Sequence, residues 1–190
     1  MFDIDQDDLH SKEELYFSWW LKELYDENII LKCSSDVFSI ELNKAFTREY
    51  IKPMKRVEDK ILLQEILPAK VYTPDFEIEW NLKHPYIKKF IGDWCNFNIK
   101  YKPIILSKKG KSVVETKGTW DQNNMTRLFK QNQSWIWDKH SIFINLVKLP
   151  NLFYNSFTPN RYLYTDKSTT RLRKQNNPDK IKTLKEFLIT

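Results

Sequence analysis

The sequence predicts an α/β fold built on one central mixed sheet, and three observations support this prediction. The segment SKEELYFSWWLKELYDE (Ser11–Glu27) has the length and apolar content of a packed helix. Several later segments alternate apolar and polar residues, as strands do. A second helical segment, Asp121–His140, precedes the apolar run SIFINLVKL (Ser141–Leu149). The predicted order is therefore a helix, strands of a mixed sheet, a helix and a strand, with a basic C-terminal tail.

The first helix has a recognisable start. Ser11 stands three residues before Glu14, which is the spacing of a capping box, in which side chains satisfy backbone N–H groups at the helix N-terminus. Leu15, Phe17, Trp19, Leu21 and Leu24 supply the apolar surface that would pack on the sheet. The same pattern gives Glu14 an ordinary structural role, independent of any chemistry.

The strands are predicted with unequal clarity. VFSIEL (Val37–Leu42) alternates as a strand, and KVYTPDFEIEW (Lys70–Trp80) is interpreted as one strand, which Pro74 places at an edge or a bulge. YKPIIL (Tyr101–Leu106) and KSVVETKG (Lys111–Gly118) are predicted to form a hairpin across SKKG. The segment between residues 52 and 70 gives no clear pattern.

The C-terminal third is predicted to contain a buried strand, a loop and a short helix. Ser141–Leu149 is the clearest buried strand, Asn151–Tyr164 is interpreted as a loop, and Pro178–Leu188 as a terminal helix. The length of 190 residues favours one main domain, residues 1–158, followed by a basic extension, residues 159–190. The basic residues of this extension are Arg161, Lys167, Arg171, Arg173, Lys174, Lys180, Lys182 and Lys185.

Composition restricts the classes of function. Only 3 of the 190 residues are glycine, which disfavours glycine-rich phosphate loops, and Ile105 stands where a P-loop ending in Gly110-Lys111-Ser112 would need its first glycine. A net charge of +6 is compatible with a polyanionic partner such as nucleic acid. The two cysteines, Cys33 and Cys95, are not at metal-binding spacing and predict a reducing compartment.

The sequence also predicts where the protein acts. Its first residues, MFDID, are acidic and do not resemble a signal peptide, and no apolar run approaches the roughly 20 residues that a membrane-spanning helix needs. We therefore expect a cytoplasmic protein that has no membrane partner.

Charged residues inside two of the predicted strands suggest a reaction centre. In SVVETKG, Glu115 and Lys117 lie on one face of the strand because side chains alternate, whereas Thr116 faces the other side. Asp75 lies directly after Pro74 in an earlier strand. If the two strands are neighbours, Asp75 and Glu115 could hold one divalent cation, because Mg²⁺ prefers oxygen ligands. The carbonyl of Thr116 could add a ligand.

These residues resemble the signature of the PD-(D/E)XK nuclease superfamily. Pro74-Asp75 matches the first half, Glu115-Thr116-Lys117 the second, and Glu14 resembles an upstream acid that many members carry. The resemblance covers Ser11–Leu149. Within the superfamily, the segments SKEELYFSWWL, YTPDFEIEW, ETKGTW and NQSWIW are similar to small phage-encoded endonucleases whose motif spacing resembles that of Holliday-junction resolvases.

The resemblance implies a fold and a reaction. The fold would be a restriction-endonuclease-like core, and the activity would be Mg²⁺-dependent cleavage of DNA, in which Mn²⁺ can substitute, leaving 5′-phosphate and 3′-hydroxyl ends. Asp75, Glu115 and the carbonyl of Thr116 would bind metal, Lys117 would position the attacking water or the phosphate, and Glu14 would bind metal or hold Lys117. A phage protein acting in the cytoplasm of a bacterial host, on branched DNA, is the implied setting.

Contacts to DNA are predicted from two places. In the second helix, Lys130 and Gln133 are the polar residues expected to approach the site, and in the tail the run TTRLRK offers Arg171, Arg173 and Lys174 to phosphates. Cutting both sides of a junction would need two sites, and therefore a homodimer.

The sequence departs from the superfamily pattern in one respect. Asp75 and Glu115 are 40 positions apart, which is longer than the simple hairpin of many members, so that Asn81–Lys100 must be an insertion or an additional element.

Structural explanations of the same residues are also open. Glu14 could serve only as a cap, Asp75 could be a turn residue after Pro74, and Glu115 with Lys117 could be a surface ion pair. The helix polar residues and the tail could simply be solvated. The tryptophans of the two helices are predicted to pack in the core rather than to stack on bases; these are Trp19, Trp20, Trp135 and Trp137.

Two other functions are compatible with the sequence. A catalytically inactive nucleic-acid-binding or virion structural protein could use the same fold, although retention of the acids argues against it, because unpaired buried acids cost stability. A nuclease acting on RNA is a third interpretation, since nothing in the sequence reads or rejects a 2′-hydroxyl.

Overall fold

A computed structural model describes residues 1–53, 60–92, 104–107, 109–117, 125–173 and 181–190. Within these ranges the helices are α1 (Lys12–Asp26), α2 (Met125–His140), α3 (Leu149–Asn155) and α4 (Leu184–Ile189). The strands are β1 (Phe2–Asp3), β2 (Ile30–Ser34), β3 (Ile40–Asn43), β4 (Phe46–Lys52), β5 (Lys60–Leu67), β6 (Lys70–Tyr72), β7 (Phe76–Trp80), β8 (Ile91–Gly92), β9 (Ile104–Ile105), β10 (Lys111–Lys117) and β11 (Ile144–Lys148). The mixed α/β class predicted from the sequence is confirmed.

A mixed five-stranded sheet forms the centre of the protein. Its strand order is β1-β2-β7-β10-β11. The outer pairs, β1 with β2 and β10 with β11, are parallel, and the inner pairs, β2 with β7 and β7 with β10, are antiparallel. The strand β10 therefore lies between an antiparallel and a parallel neighbour and is buried along most of its length.

Apolar clusters cover both faces of this sheet. On one face, Phe17, Trp20 and Leu24 of α1 pack with Val114 of β10, and α3 and Leu184 of α4 join the same cluster. On the other face, α2 and β3 pack on Val113 and Ile144, and Tyr72 borders this second cluster. Adjacent residues of β10 thus belong to opposite layers, as the alternation of a strand requires.

The predicted N-cap of α1 is confirmed, but the capping box is incomplete, because the Glu14 carboxylate accepts from the N–H of His10 instead of that of Ser11. The Ser11 hydroxyl accepts a hydrogen bond of 3.1 Å from the Glu14 N–H, as an N-cap does. The Glu14 carboxylate accepts from the backbone N–H of His10 at 2.9 Å and from the Ser11 hydroxyl at 2.7 Å. One Glu14 side chain therefore ties the chain before the helix to its first turn.

The prediction of one strand over Lys70–Trp80 is wrong. Pro74 has no N–H to give to a sheet ladder, and the segment divides there into β6 and β7, which belong to different sheets. The strand β6 pairs with β3, with Tyr72 opposite Ile40. The strand β7 is not an edge strand but an inner one, and Asp75 lies at the point where the chain enters it.

The segment without a clear pattern contains the second strand of an exposed hairpin. The strands β4 and β5 pair antiparallel from Phe46 opposite Leu67 to Lys52 opposite Lys60. Every residue of both strands is exposed. Sequence alternation marks a strand only when one face is buried, so that a hairpin exposed on both faces gives no such signal.

Two other predictions need correction. The described parts of Tyr101–Leu106 and Lys111–Gly118 do not pair as a hairpin, because β9 pairs with β8 while β10 pairs with β7 and β11. The predicted loop Asn151–Tyr164 contains most of α3 and a short 3-10 helix at Asn160–Leu163. The helix start has Pro150 in its first turn, a favourable position for proline.

The prediction for the tryptophans is half right. Trp19 and Trp20 are buried, and Trp20 stacks on Phe17 and Phe157. Trp135 and Trp137, on the outer side of α2, are 46% and 47% exposed. Lys70 lies over the Trp135 ring at 4.6 Å, which covers part of it.

The C-terminal residues that the structure describes pack back onto the domain. Leu184 is buried in the main cluster, and Thr183 with Glu186 forms a capping box at the start of α4. The Arg173 guanidinium lies against the rings of Tyr16 and Tyr162 and forms an ion pair of 2.5 Å with Asp166. Of the predicted insertion Asn81–Lys100, residues 81–92 are described and contain a 3-10 turn at Ile87–Lys89 and β8.

Across the ranges described, no helix is long and apolar enough to cross a membrane.

Candidate active site

The candidate site begins where β7 and β10 stop pairing. The ladder between them ends with Phe76 opposite Val114, and the preceding residue on the β7 side is Asp75. The Asp75 carboxylate continues the pairing with its side chain, because its Oδ2 atom accepts hydrogen bonds of 2.7 Å from both the N–H and the hydroxyl of Thr116. The break at Pro74 therefore places the Asp75 carboxylate between the inner strands of the sheet, near Glu115.

Glu115 is held from two sides. The residue is only 7% exposed. Its Oε1 atom lies 2.5 Å from the Lys117 ammonium, and its Oε2 atom accepts a hydrogen bond of 2.7 Å from the Tyr72 hydroxyl. The prediction that Glu115 and Lys117 share a face is confirmed, but the pair is largely buried rather than on the open surface.

The charge of Glu14 also acts on the residues of this site. Its carboxylate carries the cap of α1, and its charge also acts on both Asp75 and Lys117. The structural and the chemical interpretation of Glu14 are therefore compatible, because the cap places the acid beside the centre.

Burial and two neighbouring acids together raise the pKa of Asp75. Burial raises the pKa of Asp75 to about 6, and the charges of Glu115 and Glu14 add to this rise, against the two hydrogen bonds from Thr116. Burial, with the nearby charge and hydrogen bond of Glu115, also raises the pKa of Tyr72, which keeps its hydroxyl protonated as a donor. For Lys117, burial lowers the pKa, but the hydrogen bond and charge of Glu115, with Asp75 and Glu14, outweigh it and the pKa is raised.

The donor set suits a hard divalent cation. The Glu115 carboxylate contacts the Lys117 ammonium, and the charges of Asp75 and Glu14 also act on that ammonium. Repulsion from Glu115 and Glu14 adds to the larger effect of burial in raising the pKa of Asp75. A cation bound between Asp75 and Glu115 would relieve that repulsion. In the described residues no group of three or more acidic, histidine or cysteine side chains is arranged to hold a metal by itself. Mg²⁺ is commonly held by one or two carboxylates with waters and substrate phosphates, which matches this site.

Other predicted residues lie elsewhere. Lys130 is exposed on α2, whereas the Gln133 amide donates to the Ile144 carbonyl at 2.5 Å and links α2 to β11. Arg171 is exposed and Arg173 is engaged by Asp166 and the tyrosine rings. Lys174 lies outside the described residues.

Sequence reasoning missed one member of the site, Tyr72, and the side-chain role of a predicted one, Thr116. Tyr72 stands three residues before Asp75 in YTPD, and only the ribbon formed by β3 and β6 shows that its hydroxyl turns to Glu115. The Thr116 side chain was expected to have no part, yet its hydroxyl holds Asp75 from the face opposite to Glu115. A hydroxyl-bearing residue between the acid and the lysine of the motif was the available signal.

Comparison of the chain with protein-family models, with curated proteins and with solved structures finds no match.

Proposed function

We propose that this protein is a metal-dependent DNA endonuclease that hydrolyses phosphodiester bonds, with branched phage DNA as the candidate substrate. One observation carries the proposal. Asp75 and Glu115, 40 positions apart in the chain, meet at the end of one strand pair, with Lys117 bound to Glu115 and Glu14 close by. The resemblance of the same residues to the PD-(D/E)XK signature, and the helix, mixed sheet, helix and strand around them, support it.

The residues have distinct roles in this proposal. Asp75, Glu115 and the Thr116 carbonyl would hold Mg²⁺ or Mn²⁺. When bound, such an ion acts as a Lewis acid on the phosphate and lowers the pKa of a bound water. Thr116 fixes Asp75 through its N–H and hydroxyl, and Tyr72 fixes Glu115, so that both carboxylates are oriented before a ligand arrives.

Lys117 would act as a cation rather than as a base. Its raised pKa keeps the ammonium protonated at neutral pH, and its Nζ atom is positioned by Glu115. A fixed positive charge stabilises the negative charge that grows on a phosphate during in-line attack. Glu14 would contribute a third negative charge that favours a cation in the site.

The experiment is a cleavage assay with a matched pair of lysine variants. Labelled four-way junction, duplex and single-stranded DNA, and a single-stranded RNA, are incubated with the protein in Mg²⁺, Mn²⁺ or EDTA. Lys117→Ala is compared with Lys111→Ala, because Lys111 lies on the same strand and forms an ion pair of the same length, 2.5 Å, with Glu77. We expect cleavage that needs metal, a loss of at least about 100-fold in Lys117→Ala and little change in Lys111→Ala.

The alternative is a catalytically inactive nucleic-acid-binding or virion structural protein on the same fold. Binding of DNA without cleavage in either metal would favour this alternative and refute the enzyme. Cleavage of the RNA alone would redirect the proposal to RNA. The preferred DNA would separate a junction-cutting enzyme from a general endonuclease.

A further inference from the structure

The described structure covers neither face of the hairpin β4–β5. We call its two strands, Phe46–Lys52 and Lys60–Leu67, the arm. These strands pair only with each other, and every residue in them is exposed. Both faces of the arm are therefore accessible to a partner, and their charges decide which kind of partner each face can bind.

All three cations of the arm lie on one of its faces, which we call the cationic face. Side chains alternate along a strand, and residues directly opposite each other in a ladder share a face. Arg48 and Lys52 are four positions apart on β4, and Lys60 is directly opposite Lys52. The two acids of the arm, Glu49 and Glu65, alternate with these cations and lie on the other face. The cationic face therefore attracts a polyanion, whereas the other face repels one.

Aromatic rings alternate with cations on the cationic face. Along β4 this face carries, in turn, Phe46, Arg48, Tyr50 and Lys52. The two rings are open to a ligand, because Phe46 is 52% exposed and Tyr50 is 43% exposed. The row from Phe46 to Lys52 is about 20 Å long. The members of the same face on β5, beside Lys60, are uncharged: Leu62, Gln64 and Leu67.

We propose that the cationic face of the arm binds a single-stranded segment of nucleic acid. The rings of Phe46 and Tyr50 would stack on two of its bases, and Arg48, Lys52 and Lys60 would contact its phosphates. Aromatic rings that stack on bases, combined with cations that follow the backbone, hold single strands without reading their sequence. This binding surface is separate from the candidate active site and goes beyond the proposed cleavage activity.

The two rings favour an unpaired strand over other polyanions. In a duplex the flat faces of the bases are covered by their neighbours, so that rings on a sheet surface meet only sugars and phosphates. Stacking requires bases whose faces are open, as they are in a single strand. An acidic peptide would satisfy the cations but leave Phe46 and Tyr50 exposed. A single strand is the ligand that uses both the charges and the rings.

The arm leads directly to the candidate active site. Tyr72 follows Leu67 by five residues, which limits the separation of the two to about 17 Å. The Tyr72 hydroxyl in turn donates to Glu115. A single strand bound on the arm is therefore held within reach of the candidate active site.

The test measures binding in EDTA, so that its outcome is independent of cleavage. Fluorescence anisotropy compares the affinity of the full chain for labelled single-stranded DNA, single-stranded RNA and duplex DNA, each about 12 nucleotides or base pairs long. Tyr50→Ala is compared with Ile51→Ala, its neighbour on the opposite face of the arm. We expect single-strand binding to weaken at least about fivefold in Tyr50→Ala, to recover in Tyr50→Phe, which keeps the ring, and to change less than about twofold in Ile51→Ala.

The phosphate contacts are tested by the dependence of binding on salt. Arg48→Gln should reduce the slope of log affinity against log salt by about 0.7, the value for one phosphate contact on a single strand. Glu49→Gln changes a charge on the opposite face of the arm and should leave the slope unchanged. A protein that binds single strands in this way but cuts none in any metal would refute the proposed enzyme and support the present proposal.

Photo-cross-linking of the wild type keeps the test valid if a substitution disturbs the hairpin. A single strand that carries a halogenated uracil is irradiated in the complex, and the linked peptides are identified by mass spectrometry. We expect links to Phe46 or Tyr50. The proposal is overturned if the wild type binds no single strand, if it binds duplex as tightly as single strand, or if every link lies outside the arm. Equal losses of affinity in Tyr50→Ala and Ile51→Ala would also overturn it.

Discussion

The Tyr72 hydroxyl donates a hydrogen bond of 2.7 Å to Glu115 Oε2, while the Lys117 ammonium holds the other oxygen of the same carboxylate at 2.5 Å. Tyr72 belongs to a two-stranded ribbon beside the main sheet and Glu115 to β10, an inner strand of that sheet. The contact therefore links the ribbon of β3 and β6, which continues into the hairpin β4–β5, to the Glu115 carboxylate of the site.

Replacing Tyr72 by Phe should impair the site more than the fold. The phenyl ring keeps its packing, and only the hydroxyl is lost. We expect cleavage to fall by about 10- to 100-fold, as for other groups that orient a metal-binding carboxylate, and the free energy of unfolding to fall by about 1 kcal/mol. Steady-state cleavage rates and urea unfolding measure the two effects.

Tyr16→Phe is the matched control for this variant. The Tyr16 hydroxyl donates to the Asp166 carboxylate at 3.1 Å and accepts from the Arg173 guanidinium at 3.1 Å, away from Glu115. Tyr16→Phe should lose at least as much stability and keep its cleavage rate. Equal rates in the two variants would contradict the role given to Tyr72.

Asp75 should make the metal-free protein less stable as the pH rises. Its pKa is about 6 in the folded protein and near 3.8 in the unfolded chain. Between these values the folded state binds more protons than the unfolded state, so stability falls through this window and is lowest above it. Asp75→Asn should raise the free energy of unfolding at pH 8 by about 1–2 kcal/mol, since Asp75 is not fully buried, and should have little effect below pH 4.

Urea unfolding in EDTA at several pH values tests this. Asp166→Asn is the control, because the pKa of Asp166 is shifted in the opposite direction to that of Asp75. Burial raises the pKa of Asp166, but the hydrogen bond and charge of Arg173 outweigh it and lower the pKa, so that this acid stabilises the fold above its ordinary pKa and loses that contribution in acid. A loss of stability in Asp75→Asn at pH 8 would show that its bonds to Thr116 outweigh the repulsion.

Glu14→Gln separates the cap of α1 from the chemistry. Glutamine can accept from the His10 N–H with its oxygen and donate to the Ser11 hydroxyl with its amide, so the thermal midpoint should change little. The negative charge near Asp75 and Lys117 is lost. We expect weaker binding of Mn²⁺, measured by calorimetry, and a cleavage rate reduced by about tenfold or more. An unchanged metal affinity would assign Glu14 to capping alone.

The parts of the fold that the sequence predicted are those in which local pattern and burial agree. Ser11 and Glu14 mark the start of α1 through chemistry confined to four residues, and Ile144–Lys148 is apolar enough to be recognised as a buried strand. The spacing of Glu115 and Lys117 was sufficient to predict that their side chains share a face, because both residues lie on one strand. In each case the information is local.

The parts that were missed depend on distant partners. Whether Lys70–Trp80 is one strand or two is decided by β3, which captures Tyr72, and by β2 and β10, which enclose the segment after Asp75. The hairpin β4–β5 has no buried face, so its sequence shows no alternation of apolar and polar residues. Tyr72 joins the site only through a tertiary contact, which no spacing in the sequence encodes, whereas the position of Thr116 in the motif was a signal that its side chain could take part.

The two tail arginines should respond differently to substitution, although the sequence assigned both to DNA. Arg171 is exposed, whereas the Arg173 guanidinium donates to Asp166, to the Tyr16 hydroxyl and to the carbonyls of Tyr162 and Tyr164. Arg173→Ala should cost about 2 kcal/mol of stability, because several charge-assisted hydrogen bonds are lost. Arg171→Ala should leave the stability unchanged.

If the tail contacts phosphate, Arg171→Ala should weaken DNA binding and reduce the slope of log affinity against log salt by about 1. Binding titrations in EDTA at four salt concentrations, with thermal melts of both variants, test this, and a change of salt slope in Arg173→Ala alone would reverse the assignment.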